Sequence, residues 1–364
     1  MKVLDTLGKI IPPPAYIQLP SIGVDVSDTS LKYVQFTRDN KSGTRLKLVY
    51  WGDIDIPEGA LERGIVHDAS KLTEVLREVK ERTGVENVRV SLPEERAYLF
   101  ETEIKRGFSH KEIRGLLEFR LEENVPLSPR DAFFDYDIIE DGETNGMLRV
   151  SVTAYAKNTV MSYFDACNAA GVIPVSFEVE AQAIAASAIS SKDKGTHMIV
   201  DFGKTRTGIG IVHKGVLMYT STVDIGGSML SSAMRKKLGN LEESELTRIK
   251  NTQGLILGHG ANSTHEILAE SISTIVDEIA TRISYWNTKD ELHEDRQIQS
   301  IILCGGSVNM KGLPAFFTEK LGITATRANV WQNAFSIEDH VPPIIRRYSF
   351  GYATAIGLAL APFI

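Results

Sequence analysis

The chain is short of cysteine, of long apolar runs and of excess positive charge, and each shortage removes a class of protein. Its 364 residues hold two cysteines, Cys167 and Cys304, far apart and without CxxC or Cys/His spacing. That gives no disulfide framework and no metal-site signal, and it suits a reducing compartment. No stretch reaches the ~20 apolar residues that cross a bilayer. The nearest, YATAIGLALAPFI, is short and glycine-interrupted and reads as a core helix. The opening MKVLDTLGKIIPPPAYIQLP lacks the apolar core and cleavage site of a secretory signal. Val3, Leu4, Leu7, Ile10 and Ile11 suggest one amphipathic turn, which Pro12 to Pro14 stop. Residues 1–20 are therefore expected to be a flexible or partner-docking arm. A formal charge of −7 argues against broad nucleic-acid binding, because neutralising phosphates needs clustered Lys and Arg.

What is present is an ordinary globular composition, 43% hydrophobic and 24% charged, at a length that divides into two or more units. The informative stretch is Ile199 to Val212, IVDFGKTRTGIGIV: an apolar strand ending in Asp201, a turn through Gly203 to Thr207, and a returning strand. Glycine allows close backbone approach to a ligand, and exposed amides beside Lys204 and Thr205 can hold phosphate oxygens. An ordinary hairpin whose Asp starts the turn is the plain alternative. The pattern, however, occurs twice. IGVDVSDTSLKYVQF carries Asp25 at the equivalent place, followed by a polar turn, Ser27 to Ser30. Each copy continues into a third strand, LKLVYWGDIDI in the first and Val216 to Val223 in the second. In the first copy Leu72, Val75, Leu76 and Val79 then have helical spacing up to Gly84, and Asn87 to Leu92 is a short strand. That β-β-β-α-β order implies a last strand that joins in parallel.

Between Pro93 and Val175 lies a compact α+β insertion. It has a strand at Ala97 to Ile104, a helix at Ser109 to Asn124 with a Ser109/Glu112 capping box, strands at Phe133 to Ile139 and Leu148 to Ala156, and a helix at Thr159 to Ala170. Ile113, Leu116, Leu117, Phe119 and Leu121 give the first helix a broad apolar face. Two alanine-rich helices, Glu180 to Ser190 and Ser349 to Leu360, have side chains small enough for close approach. The second half adds helices at Ser228 to Leu238, Glu242 to Lys250 and Thr264 to Lys289, a strand at Ser300 to Cys304 and a helix at Leu313 to Leu321.

If both hairpin tips face one cleft, Asp25 and Asp201 converge there with hydroxyls of Ser27, Ser30, Thr205 and Thr207 and the ammoniums of Lys32 and Lys204. That set suits Mg²⁺ holding nucleotide phosphates through water. In LCGGSVNMKGLPAFF, Leu303 to Phe317, Gly305 and Gly306 after a buried strand would let a flat ligand lie against the backbone, and glycines kept for packing are the alternative.

Taken in order, hairpin, alanine helix, hairpin, glycine joint and alanine helix resemble the five-part signature of the actin, Hsp70 and sugar-kinase superfamily. The position of the insertion, with SHKEIRGLLEFRLEENVPLSPRDAFFDYDII and AKNTVMSYFDACNAAGVIPVSFEVEAQAIA, resembles the FtsA and PilM branch, and PilM more closely. The resemblance implies an α/β fold: a duplicated, actin-like (ribonuclease H-like) ATPase with two lobes around a nucleotide cleft and an inserted 1C, or SHS2, subdomain. The expected division is subdomain 1A at 21–93, 176–195 and 345–364, subdomain 1C at 94–175, subdomain 2A at 196–227 and 299–344, and subdomain 2B at 228–298. It implies ATP and Mg²⁺ as cofactors, with Asp25 and Asp201 toward the metal and Ser27, Ser30, Lys32, Gly203, Lys204, Thr205, Gly227, Lys250, Gly305, Gly306 and Ser307 toward the nucleotide. Glu180 matches the position that orients water in some relatives. It also implies a cytoplasmic scaffold of a type IV pilus, or related type II secretion, assembly platform, taking up the N-terminal tail of a PilN-like inner-membrane partner in a groove between insertion and first domain. The apolar face after Ser109 would serve that partner, and self-association stays open. Three departures weigh against hydrolysis more than against binding: Ser27 where a glycine is usual, Ala181 where a proline is common, and Thr247 where a glutamate is expected. An FtsA-like filament lacks its C-terminal amphipathic helix here, and a small-molecule kinase lacks its general-base Asp loop.

Overall fold

In a computed structural model the described residues are 19–38, 46–139, 146–256, 263–289, 296–338 and 340–363. The arm to residue 18, the turn Asp39 to Thr44 and most of DGETNG lie outside them. The first lobe opens with β1 (Ser21–Val26), β2 (Ser30–Arg38) and β3 (Leu46–Asp55). A two-residue-stranded hairpin, β4 (Leu61–Glu62) and β5 (Ile65–Val66), precedes α1 (Ala69–Thr83) and β6 (Asn87–Leu92). Helix α1 starts where the Asp68 carboxylate accepts the Ser70 and Lys71 amides, and stops at Gly84 in a left-handed conformation. As the order of elements requires, β6 pairs with β1 in parallel.

The insertion follows as β7 (Tyr98–Lys105), α2 (His110–Asn124), β8 (Ala132–Ile139) and β9 (Met147–Ala156). Its strands form a sheet in the order β7-β9-β8, so β8 is an edge. The capping box on α2 is formed, and Ile113, Leu117 and Leu121 pack onto Phe100, Phe134, Val150 and Val152. Leu116 and Phe119 do not: they are 40% and 81% exposed, because the helix buries only the stripe that meets the sheet.

Helix α3 (Lys157–Ala170) leads into β10 (Ile173–Val179), which joins the edge of the first sheet parallel to β6. Tyr163, Ala166 and Cys167 of α3 belong to the first lobe's core, and Thr73 of α1 bonds the Ala166 carbonyl. Helix α4 (Glu180–Ala188), whose Ala181, Ile184, Ala185 and Ala188 lie in the first lobe's core, leads into the second lobe, which comprises β11 (Thr196–Phe202), β12 (Thr207–His213), β13 (Val216–Val223), α5 (Gly227–Leu238), α6 (Glu243–Thr252), α7 (Ser263–Lys289), β14 (Ile298–Cys304), α8 (Leu313–Leu321) and β15 (Ala325–Arg327). Its sheet runs β13-β12-β11-β14-β15, against β3-β2-β1-β6-β10 in the first: three antiparallel strands and then two parallel ones, twice.

The alanine helix expected over Ser349 to Leu360 is broken. A short helix α9 (Arg346–Ser349) passes through a 3₁₀ turn at Phe350–Tyr352 into α10 (Ala353–Leu360). The Phe350 carbonyl accepts the Gly305 amide at 2.9 Å, which removes it from the helical ladder. Helices α4 and α10 pack against each other so closely that a Cβ on Gly357 would overlap the Ala183 carbonyl. A Cβ on Gly23 of β1 would likewise overlap Ala355 of α10, and one on Gly210 of β12 would lie 2.6 Å from the Ala181 Cβ. The small residues thus bring both sheets onto one central helix pair.

Candidate functional site

Duplication puts the two hairpin tips opposite one another, and between them is a cleft of about 360 Å³. Asp25, Ser27, Ser30, Lys32, Glu180, Asp201, Gly203, Lys204, Thr205, Gly305 and Gly306 all line it. On the first tip Ser27 closes the turn, its amide and hydroxyl both donating to the Ser30 carbonyl. Lys32, in register with Asp25, reaches the Ser30 hydroxyl at 2.6 Å and lies 3.8 Å from Asp53. Asp25 itself accepts from the buried Ser91 hydroxyl at 3.2 Å.

On the second tip the Gly203 amide is spent on the Arg206 carbonyl at 3.0 Å, so it shapes the turn instead of facing the cleft. Ser307 and Gly227 act from behind: the Ser307 hydroxyl and the Gly227 amide both donate to the Gly203 carbonyl at 3.0 Å. Thr207 does not reach the cleft, because it is fully buried and its hydroxyl donates to the Ile225 carbonyl. Gly305 has φ +92°, and a Cβ there would overlap Asp201 Oδ1, so glycine is the only residue that leaves the carboxylate room. Lys250 is also placed elsewhere. It is buried between α5 and α6, 2.8 Å from the Ser231 hydroxyl and 3.5 Å from Glu243. Its neighbour Asn251 lines a second basin with Asn309, Lys311, Arg327, Arg346 and Arg347.

The cleft is crowded with carboxylates. Burial, and then Asp25, push Asp201 up to about 7. Burial raises Asp25 against the pull of Lys32. Glu180 is pushed well above the carboxylate range by burial and by Glu94, Asp25 and Asp201. Glu94, which sequence reasoning missed, is 2% exposed and pushed up to about 8 by burial and Asp201, although the Thr220 hydroxyl donates to it at 2.9 Å. Also missed was the contact that joins the tips: Arg206 of the second hairpin holds Asp28 of the first at 2.6 Å and touches Glu95. The one signal for these groups was an acidic pair directly after Pro93 at the end of a buried strand. So many buried acids with so little compensating positive charge make a site that favours a cation. Among the described residues no group of three or more His, Cys, Asp or Glu is spaced to ligate a metal directly.

A larger cavity, about 760 Å³, lies between the insertion's sheet and the first lobe. Phe133, Thr153 and Tyr155 line it from the insertion's strands, Val160, Met161 and Phe164 from α3, Phe177 and Glu178 from β10, and Gln182 and Leu217 form the floor. Helix α2 contributes nothing to it, so the apolar face after Ser109 is not on this groove.

The architecture is shared with solved structures. A PilM-PilN type IV pilus biogenesis complex matches with a TM-score of 0.74 at 18% identity, covering 95% of this chain and 99% of that one. MreB 5 of Spiroplasma citri bound to AMPPNP matches at 0.53 and 13% identity, covering 93% and 94%. The ethanolamine utilization protein EutJ from Carboxydothermus hydrogenoformans matches at 0.51 and 15%, covering 96% and 90%. At such identities these likenesses establish the duplicated actin-like fold. Residues 23–363 match the family model described as type IV pilus assembly protein PilM, and the chain belongs to that family.

Proposed function

We propose that this protein is an ATP-binding scaffold of the type IV pilus assembly platform, working at the cytoplasmic face of the inner membrane. Its lobes close on ATP and Mg²⁺, and it holds the N-terminal tail of a PilN-like membrane protein. The observation that carries the nucleotide half is the convergence of Asp25 and Asp201 from duplicated hairpins on one cleft, with Gly305 backing Asp201. Crowded carboxylates without direct-ligand spacing fit a Mg²⁺ that keeps its water shell, and the ion would neutralise the phosphates. Lys32 and Lys204 with the Ser30 and Thr205 hydroxyls are the polar groups available to phosphate oxygens. The basin at Asn251, Asn309 and Arg347 adjoins the glycine joint and would take the base and ribose. Burial, and then its acidic neighbours, push Glu180 well above the carboxylate range and so toward the protonated form, which cannot take a proton from water; this favours binding over rapid turnover. The groove between insertion and first lobe is the tail's seat, and the PilM-PilN complex of the same architecture supports that partner.

Calorimetry with ATP and Mg²⁺ tests the nucleotide half. Binding should be lost in both Asp25→Ala and Asp201→Ala, with wild-type turnover below about one per minute against a median near ~10 s⁻¹ for enzymes. Normal affinity in either variant refutes the two-hairpin clamp.

A further inference from the structure

The groove between the insertion and the first lobe is apolar, and what polar chemistry it has is of one sign. Asp135 and Asp137 line it from β8, on the same face as Phe133 by the two-residue period of a strand. Glu178 faces them from β10 across the groove. None of the described lining residues is Lys or Arg. Cations stand around its rim: Arg89 bonds the hydroxyls of Ser21 and Ser176, the Arg114 guanidinium sits over the Phe134 ring at 5.0 Å and the Lys157 ammonium over the Phe133 ring at 5.7 Å. Burial raises both Asp137 and Glu178; Asp135 raises Asp137 further, while at Glu178 the lowering by the Arg89 guanidinium exceeds the raising by Asp137. Phe133 and Phe164, 41% and 36% exposed, leave apolar surface open beside them.

We propose that this groove selects an extended peptide carrying a Lys or Arg among apolar residues, and that Asp137 and Glu178, on opposite walls, read that positive charge. The inference rests on the reading of the groove as the seat of a membrane protein's cytoplasmic tail. It adds which chemistry in the tail is recognised. A cation between the two walls removes their mutual repulsion, and the flanking apolar side chains fill the space beside Phe133, Phe164 and Phe177. Membrane-proximal segments on the cytoplasmic side are enriched in Lys and Arg, so such a tail meets the requirement by its location. Because β8 is an unpaired edge, the peptide backbone can also add to the sheet, which fixes the register of the charge.

The test uses the full chain and two fluorescent peptides. One is the first dozen or so residues of the PilN-like protein's tail, and the other is the same peptide with each Arg and Lys replaced by citrulline or norleucine. The native peptide should bind about tenfold more tightly than the neutral one, and that advantage should vanish in the Asp137→Asn/Glu178→Gln double variant, which keeps the shape of both side chains. Phe164→Ala should weaken both peptides alike. If the native tail does not bind at all, the assignment of the partner fails. If both peptides bind equally well, the partner stands and the acidic selection is refuted.

Discussion

Asp201 shows what the cleft demands of single residues. Its folded-state value of about 7 lies above the ordinary 3.8, so the folded protein takes up a proton there more readily than the unfolded chain. The stability tied to this group is therefore fullest below the unfolded value and is lost as the pH rises toward 7. Glu94, at about 8, works in the same direction. Asp201→Asn should accordingly raise Tm at pH 8 by several degrees while destroying MgATP binding, as scanning fluorimetry and calorimetry would read. Binding the cation needs the ionised carboxylates, so wild-type affinity for MgATP should increase from pH 6 to pH 8, with proton release visible in buffers of different ionisation enthalpy. Asp25 and Asp201 were legible in the sequence because each ends a buried strand before a polar turn. Asp28 and Arg206 were not, and Glu94 and Glu95 showed only as an acidic pair after Pro93, since nothing local says which of many surface-type charges will be enclosed by the opposite lobe.

Elements were more legible than residues, because a helix or strand writes its period into a short window. The capping box at Ser109 and the left-handed glycine at Gly84 both stand where the sequence put them. The reach of an amphipathic face was not legible. Leu117 is fully buried, whereas Phe119, two residues away on α2, is 81% exposed. Leu117→Ala should cost about 2–5 kcal/mol in denaturant unfolding and Phe119→Ser less than about 0.5 kcal/mol. The alanine helices announced close approach, and the structure directs that approach to each other. Gly357→Ala, which forces a methyl into the Ala183 carbonyl, should destabilise by about 1–3 kcal/mol or more, although alanine is the better helix former.

For the whole molecule, the two cavities are not independent. Helix α4 begins with Glu180 in the cleft, and two residues later Gln182 lines the groove. The Gln182 side chain accepts the Leu217 amide at 2.9 Å and donates to the Gly215 carbonyl at 3.1 Å, both in the second lobe. The insertion also leans on that lobe: the Ser151 hydroxyl donates to the Leu217 carbonyl at 2.7 Å, and Arg296, 1% exposed, holds Glu101 at 2.8 Å. A lobe rotation that closes the cleft must therefore move the floor of the groove. Saturating MgATP should change tail affinity by a factor within about 5–150, the tail should change MgATP affinity by the same factor, and Gln182→Ala should shrink both. Paired calorimetric titrations, each ligand with and without the other, measure it.

By itself the sequence determined the duplicated order of elements, the two aspartates, the glycine joint and the helices built for close contact. All of these follow from periodicity, turn chemistry and side-chain size within windows of about a dozen residues. Only the tertiary structure decided that Lys250 turns to Ser231 instead of the cleft, that Arg206 ties the hairpin tips together, and that Asp137 and Glu178 face each other across an apolar groove. Those meetings join residues tens to hundreds of positions apart. They depend on strand register and on how the two lobes close, which no local stretch of chain encodes.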